Sequence, residues 1–345
     1  MTVGGSARLD SVIRERVAAL PDRVQRLLTA IALSAQPLTP AVAAAAASLD
    51  SDPRDALRAL AAGRLVRTHD GTAAQELEPY HDRIREAVAE GLDPAALAAW
   101  HACLAAAWEE SGLARPETLV THFRGAGRLA DTARYAVLAA EAAEHALAFQ
   151  RAAHYYSLLL DVDEPERRSR WSTRLGDALA HAGQGRDAAK AYLDALTDGS
   201  PDVAIELERH AAEQLIRAGY LNHAAKVLDS LLPRIGIRPA RTEAGAFVGL
   251  VVRRLALAVR GTRFRERHER DVPLDSLWRI DVLWSIGAPL SLVELVRGNH
   301  LHLRGTHLVL RSGEPKRVVR ALSTLTFTRV VRWTRGTGCG PSGLA

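Results

Sequence analysis

The sequence predicts an all-α protein in which an N-terminal helical module ending in a β-hairpin leads into stacked helical hairpins. Hydrophobic residues make up 48% of the 345 residues and aromatic residues only 5%, so the apolar mass is mostly Ala, Leu and Val. Side chains of this size suit close helix packing rather than a β-sandwich core. Similar residues also recur at a spacing of 36 between residues 147 and 232, which indicates one structural unit repeated along the chain.

Residues 1–80 are predicted to form a separate N-terminal domain. Thr39 with Pro40 caps the third expected helix, and Gly63 ends the fourth. Arg64–Thr68 then alternates as a strand does, and Gln75–Tyr80 pairs back after a turn. Three or four helices followed by a hairpin is the order of a winged-helix domain. The expected helices are Asp10–Leu20, Asp22–Ser34, Ala41–Ala47 and Arg54–Ala62.

Residues 81–232 are predicted to form helical repeats. Leu175 and Leu179 lie four apart and so share a helix face, and Gly183 with Gly185 marks the turn to the next helix. One such hairpin cannot bury its own apolar face, so neighbouring hairpins must stack. The pattern resembles the tetratricopeptide repeat, whose usual period is about 34. The repeat-defining positions are Ala152, Ala188 and Ala224, then Tyr156, Tyr192 and Leu228, and Gly183 and Gly219 in register with Leu147.

Residues 233–322 are predicted to continue as further helical repeats with a basic connector. Pro233, Gly236 and Pro239 mark a break, and Arg260–Arg270 is strongly basic. From Ser323 the pattern changes, so residues 323–345 are expected to form an irregular, disordered tail with strand-favouring residues at its start. The expected helices of this region are Phe247–Val259, Leu277–Trp284, Leu290–Val296 and Leu301–Leu310.

Several segments carry a family resemblance, the most distinctive being EPYHDRIREAV at Glu78–Val88. The others are HACLAAAWEE, LVTHFRGAGRLADTARY, AAEHALAFQRAAHYY and WRIDVLWSIGAPLSLVELVRGNHLHLRGTHLVLRSGEPKRVVRAL. Together they resemble the region that follows the nucleotide-binding domain in large bacterial signalling proteins. These proteins carry a STAND-type, AAA-like ATPase module, a winged helix and tetratricopeptide-like repeats, and many are fused to a serine/threonine protein kinase. The resemblance covers roughly Leu9–Leu322 and implies a sensory or scaffold portion of such a protein.

The sequence departs from the family in its catalytic motifs. It contains no Gly-x-x-x-x-Gly-Lys-Ser/Thr, and neither the His-Arg-Asp nor the Asp-Phe-Gly motif of a kinase. We therefore expect no enzyme activity, no catalytic residue and no cofactor. The change at Ser323 falls where the family continues with a helix, and we hypothesise a frameshifted or truncated end.

Histidines are the candidate metal ligands, and we expect no metal site. His81 and Asp82 resemble the paired ligands of phosphohydrolases, but such a site needs further ligands, for which only His101 and His122 are near in sequence. We favour a structural role for His81 and Asp82, as hydrogen-bonding anchors between the hairpin and the next helix. His300, His302 and His307 are the densest cluster, and on a helix the first two point apart. Serine hydrolase chemistry lacks its Gly-x-Ser-x-Gly motif.

Residues 253–271 form a basic segment with seven arginines. We favour a solvated or salt-bridged helix face, with an acidic protein partner, nucleic acid and anionic lipid as the alternatives. DNA readout needs Arg, Lys, Asn or Gln on the recognition helix, and Ala41–Ala47 has none. Nucleic acid is therefore not expected as a partner. The charged residues are Arg253, Arg254, Arg260, Arg263, Arg265, Arg267 and Arg270, against Glu266, Glu269 and Asp271.

The function class expected from the sequence is a non-catalytic interaction and regulatory module that binds a protein, a peptide or a small effector. The alternatives are a DNA-binding fragment of an ATP-dependent transcriptional regulator, and a chain related to serine/threonine kinases or ATPases that lacks their domains. Cys103 and Cys339 fit a reducing, cytoplasmic compartment, and the apolar run Ala244–Val259 is interrupted by arginines, so no membrane partner is expected. The expected groove residues are Tyr155, Arg174, Asp177, His181, His210, Gln214 and Arg217.

Overall fold

The computed structural model describes residues 12–50, 52–70, 75–196, 200–238, 240 and 242–323. This part of the chain is mostly helical and contains one two-stranded sheet. The chain divides into two compact units, Met1–Trp171 and Ser172–Ala345, and each is described by itself. None of the described helices is long and apolar enough to cross a membrane.

The first unit begins with four helices and a β-hairpin. Thr39 accepts a hydrogen bond from the Val42 amide at 3.3 Å and Pro40 occupies the first turn, so the third helix begins where the sequence predicts. Leu38 forms an isolated bridge with Leu77 beside the hairpin. The elements are α1 (residues 12–18), α2 (Asp22–Leu33), α3 (Pro40–Ala46), α4 (Arg54–Ala62), β1 (Val66–Asp70) and β2 (Gln75–Pro79).

The first strand of the hairpin starts at Val66, two residues later than the expected Arg64–Thr68. Arg64 adopts a left-handed φ of 51°, and the Leu65 amide bonds back to the Leu60 carbonyl at 2.9 Å. Both residues therefore close the end of α4 and cannot join the strand. The strands are antiparallel, with Val66 opposite Pro79.

The rest of the first unit is helical. Asp93 caps one of them by accepting a hydrogen bond from the Ala96 amide at 2.8 Å. Trp108 and Phe123 are buried in the core with Leu27 of α2. The elements are α5 (Asp82–Glu90), α6 (Pro94–Ser111), α7 (Pro116–Gly125), α8 (Leu129–His145) and α9 (Phe149–Val162), followed by α10 (Arg168–His181), in which the boundary between the units falls. Helix α5 packs on α2, and the helices from α6 to α9 pack each on the next.

The second unit is built from seven helices besides the end of α10, counted over its described residues. Helix α12 packs on α11, α13 and α15, and α15 packs along α16. Gly298 permits that last contact, because a Cβ there would lie 2.1 Å from the Ser291 nitrogen. The helices are α11 (Gly185–Asp194), α12 (Pro201–Arg217), α13 (Leu221–Arg234), α14 (Glu243–Arg260), α15 (Leu274–Val293), α16 (Leu295–Ser312) and α17 (residues 315–323).

The repeat positions have matching environments along the chain. The three alanines of the first set are buried, as are the three large residues of the second set. Leu147, Gly183 and Gly219, each 36 residues apart, all adopt positive φ values of 55°, 76° and 80°. In each 36-residue repeat, a residue with left-handed backbone conformation turns the chain between two helices. The spacing in the sequence therefore corresponds to a repeated backbone turn.

Two expectations for the region after residue 232 are wrong. Pro233 lies inside the last turn of α13 rather than in a connector. The three expected helices over 277–310 are two, because α15 continues through Pro289 and the break comes at Glu294. The chain must turn between Ser291 and Gly298, because these two residues approach each other closely. Pro239 and the tail beyond Ser323 lie outside the described residues.

Candidate functional site

Helices α10 and α11 make a close contact beside α12. A Cβ at Gly176 would lie 2.6 Å from the ring of Tyr192, so only glycine lets the tyrosine lie across α10. The Tyr192 hydroxyl donates to Asp177 at 2.8 Å, and its ring stacks on His210 of α12 at 5.2 Å. Burial and the neighbouring Asp177 raise the pKa of Tyr192, which keeps the hydroxyl protonated.

A row of charges runs along α12 next to this contact. Arg209, only 13% exposed, lies between Glu206 at 2.9 Å and Glu213 at 3.1 Å. Arg217 also reaches Glu213, at 2.6 Å. The hydrogen bonds from Arg209 and His210 lower the pKa of Glu206 to about 2. Glu206 is therefore ionised at neutral pH, and Glu206 and Glu213 are both paired with arginines of the same helix.

A second charge network joins α15 and α17. Arg317 donates through Nε and Nη2 to both carboxylate oxygens of Asp281, the closest contact being 2.8 Å, and also reaches Glu269 at 2.9 Å. Arg320 binds the same Asp281 and lies 4.1 Å over the ring of Trp284. Its hydrogen bonds to Asp281 raise the pKa of Arg317. Because the contacts cross between helices, this network fixes α17 against α15.

These two networks face each other across a cleft of about 890 Å³. We call it the α12–α15 cleft. Trp278 and Trp284 add aromatic surface to the lining of this cleft. The lining includes Val203, Glu206, Arg209, Glu213, Leu274, Trp278, Asp281, Trp284, Lys316, Arg317 and Arg320.

The groove residues expected from the sequence are not part of the lining of this cleft. Asp177 and His210 are brought together by Tyr192, and Arg217 belongs to the α12 row. Gln214 lies against Gly185, and Arg174 and His181 are on α10. Tyr155 belongs to the first unit, where burial raises its pKa. None of the seven lines the α12–α15 cleft, and their role in binding stays a prediction.

Sequence reasoning missed the residues that line the cleft, because the cleft forms only where separate helices come together. Glu206, Arg209 and Glu213 follow one side of α12 at spacings of three and four. This spacing of charges, with an arginine among carboxylates, is the one signal that indicates them. Asp281 and Arg317 are 36 residues apart, so nothing local in the sequence connects them.

Of the first group of candidate metal ligands, His81 and Asp82 are exposed, whereas His101 and His122 contact each other. The expected anchoring hydrogen bonds of His81 and Asp82 are absent from the contacts of the described residues; His81 meets the ring of Tyr80 at 5.1 Å. His101 and His122 do meet, Nδ1 to Nδ1, at 3.0 Å. Over the described residues no group of three or more possible ligands forms a metal site.

The histidine cluster at residues 300–307 lies on α16, where its members face different neighbours. His300 lies against Gly249 of α14, and the backbone of His302 lies against Gly287 of α15. His307 donates from Nε2 to the Arg253 carbonyl at 3.0 Å. The side chains of the first two point apart, as expected for a helix, and the cluster packs three helices together.

Comparison with known proteins adds no assignment. No protein-family model matches the chain, and no curated protein matches it. The function therefore has to be inferred from the residues and the geometry of the chain itself.

Proposed function

We propose that this chain is a non-catalytic interaction and regulatory module, in which the α12–α15 cleft binds a peptide segment of a partner protein. The observation that carries the proposal is the cleft of about 890 Å³, which is within the range of ligand-binding pockets. The acidic and basic side chains of the cleft are already paired with one another, so a peptide can bind without rearranging these ion pairs.

The chemistry of the cleft suits a peptide. Tryptophan and arginine are the residues that most often dominate binding energy at interfaces, and Trp278, Trp284 and Arg320 line the cleft. Val203 and Leu274 are exposed by 56% and 71%, which gives apolar contacts at the rim.

The fold supports a more specific version of this proposal. The order of helices and hairpin in residues 12–79, with the extra bridge of Leu38 to Leu77, supports a winged-helix-like domain. The turns repeated every 36 residues support a tetratricopeptide-like array. Both fit the resemblance to bacterial STAND-type ATPases and their kinase fusions. In such a protein, a bound peptide regulates the attached catalytic domain only if it binds one state more tightly than the other.

The rival functions have less support. Helix α3 is Pro-Ala-Val-Ala-Ala-Ala-Ala and offers no side chain for base contacts, and Arg54 and Arg58 of α4 are paired with Asp52 and Asp55. The sequence lacks the Gly-rich phosphate loop and the kinase motifs that nucleotide chemistry needs. A regulatory role without catalysis is the function that these features favour.

The experiment is a selection of random displayed peptides on the full chain, followed by measurement of their affinities for variants. Trp278→Ala removes a wall of the cleft, and Lys316→Glu reverses a charge in its lining. We expect Trp278→Ala to weaken the selected peptides by roughly 30-fold, the effect of an interface hot spot. Lys226→Glu, an exposed lysine on α13, is the matched control and should change little.

The result that contradicts the proposal is a set of peptides that bind wild type and Trp278→Ala equally, or a selection that enriches no peptide. Because Trp278 is half-buried, circular dichroism of the variant is recorded first. If that variant unfolds, Leu274→Glu against Leu292→Glu decides, since both change exposed leucines of α15 and only the first of the two lines the cleft.

A further inference from the structure

Helix α14 leaves most of its apolar side chains in solvent. Of its 18 residues only Ala246 is buried. Six large apolar residues lie within about 140° of the helix circumference, at 100° per residue, and we call them the α14 stripe. They are Phe247, Val248, Val251, Val252, Leu255 and Val259, exposed by 56%, 60%, 40%, 56%, 63% and 90%.

The opposite side of α14 is held on α16 by contacts that leave the stripe facing outward. Gly249 lies close to His300, and the Arg253 carbonyl accepts a hydrogen bond from His307 at 3.0 Å. Arg260 donates to the Leu310 carbonyl at 3.0 Å near the other end of the helix. The orientation of the stripe is thus fixed by contacts along the whole helix.

Positive charge also accumulates at this element. Residues 253–271 hold seven arginines and three acidic residues, a net charge of +4. Arg263 and Arg265 follow the helix, are exposed, and flank Phe264, which is 40% exposed. An apolar stripe therefore ends in a cationic segment that itself presents an aromatic ring.

We propose that α14 and the segment after it, residues 243–271, form a docking surface for an anionic lipid bilayer. The stripe enters the boundary between headgroups and acyl chains, and the arginines contact lipid phosphates. A bilayer supplies both phosphates for the arginines and an apolar phase for the stripe. Nucleic acid supplies phosphates but no apolar phase for six exposed apolar side chains. The interruptions at Arg253 and Arg254, which exclude a spanning segment, are tolerated in a helix lying in the interface, because long side chains reach the headgroups.

This proposal does not depend on the α12–α15 cleft. It also differs from the expectation of no membrane partner, which considers only a helix that crosses the bilayer. Peripheral binding instead uses an exposed amphipathic helix with arginines beside the apolar face.

The test is co-sedimentation of the full chain with vesicles of phosphatidylcholine and phosphatidylglycerol at 70:30, and with phosphatidylcholine alone. We expect binding to the anionic vesicles and at least tenfold weaker binding to the neutral ones, because the surface charge supplies much of the attraction. Leu255→Glu should reduce binding more than tenfold. Leu138→Glu, an exposed leucine on α8, is the matched control and should bind as wild type does. Arg263→Gln with Arg265→Gln should weaken binding by roughly 20-fold.

Three results overturn the proposal. The first is wild-type protein that stays in the supernatant with anionic vesicles, and the second is equal binding by Leu255→Glu and Leu138→Glu. The third is a wild-type dimer without lipid that Leu255→Glu converts to a monomer in sedimentation velocity, which assigns the stripe to a second copy of the chain. Both variants change exposed side chains, and their circular dichroism confirms folding before the comparison. Hydrogen exchange gives an independent reading, since amides of α14 must gain protection on anionic vesicles.

Discussion

Buried His122 makes the first unit sensitive to acid. His122 is fully buried, accepts a hydrogen bond from the Ala35 amide at 3.4 Å through Nε2, and meets His101 through Nδ1 at 3.0 Å. With Nε2 an acceptor, the proton of the neutral ring is on Nδ1 and is donated to His101. Burial first, and then the charge of His101, lower the pKa of His122 from 6.5 to about 3.

The magnitude follows from linkage. The unfolded chain binds a proton at His122 near pH 6.5, but the folded chain does not until about pH 3. The stability is therefore intact above pH 6.5 and is lost as the pH falls toward 3, by up to about 1.4 kcal/mol per pH unit. Between pH 7.5 and pH 5.0 this single histidine is expected to cost about 2 kcal/mol.

The assay compares wild type with His122→Gln, which keeps a side-chain acceptor but cannot titrate. Urea unfolding is measured after equilibration at pH 7.5 and 5.0, and a deuterium pulse at one fixed pH then reports unfolding in peptides from α6 and α7. We expect the drop in the free energy of unfolding to be about 2 kcal/mol smaller in His122→Gln than in wild type. His145→Gln, an exposed histidine of the same unit, should keep the full drop.

An equal drop in wild type and His122→Gln would refute this reasoning, because another group would then bind the proton. His101 also has a lowered pKa through burial, so some of the acid sensitivity remains in the variant. Comparing the two proteins, rather than reading wild type alone, isolates the contribution of His122.

Three further substitutions test the packing. Gly176→Ala should destabilise the chain by about 2 kcal/mol in thermal unfolding, because its Cβ would lie 2.6 Å from the ring of Tyr192. Leu147→Gly should stabilise it by about 1 kcal/mol in urea unfolding, since Leu147 is exposed and has a φ of 55°. Asp281→Asn should cost about 2 kcal/mol in thermal unfolding, because it removes the carboxylate that Arg317 and Arg320 share; the part-exposed site reduces the full cost of a broken buried pair.

Each of these substitutions has a control of the same chemistry. Gly91→Ala places its Cβ no closer than 3.4 Å to any neighbour and should not destabilise the chain. Leu138→Gly lies inside α8 and should destabilise it, the opposite sign to Leu147→Gly. Asp194→Asn is exposed at the end of α11 and should have little effect. A shared sign between Leu147→Gly and Leu138→Gly would contradict the backbone argument.

Local features were predictable from the sequence, and the lengths of the late helices were not. Arg54–Ala62 has the predicted bounds because its end is encoded by Gly63 next to it. The turns at Gly183 and Gly219 also depend on single residues. By contrast, α15 continues through Pro289 because its packing on α16 outweighs the local preference of proline.

The sequence did not predict which residues line the proposed cleft, for a geometrical reason. The predicted groove residues His210, Gln214 and Arg217 lie on α12, and the proposed cleft is lined by Glu206, Arg209 and Glu213 of the same helix. Which side of α12 faces the cleft is decided by its contact with α15, which begins 57 positions after α12 ends. No periodicity within α12 contains that information, because polar residues occur on both of these sides.

The two proposed surfaces should respond differently to salt, and this separates them in one experiment. In the α12–α15 cleft the arginines are matched by Glu206, Glu213 and Asp281, so little net charge remains to attract a peptide. Along residues 253–271, Arg253, Arg260 and Arg267 donate hydrogen bonds to backbone carbonyls, so the net charge of +4 stays available. Raising the salt from about 0.1 M to about 0.5 M shortens the screening length roughly twofold and should release the chain from anionic vesicles. The same change should leave the affinity for a cleft peptide within about threefold, since aromatic contacts are not screened. A peptide lost with the vesicles would mean that its affinity depends on charge, and that the argument from the matched charges of the cleft is wrong.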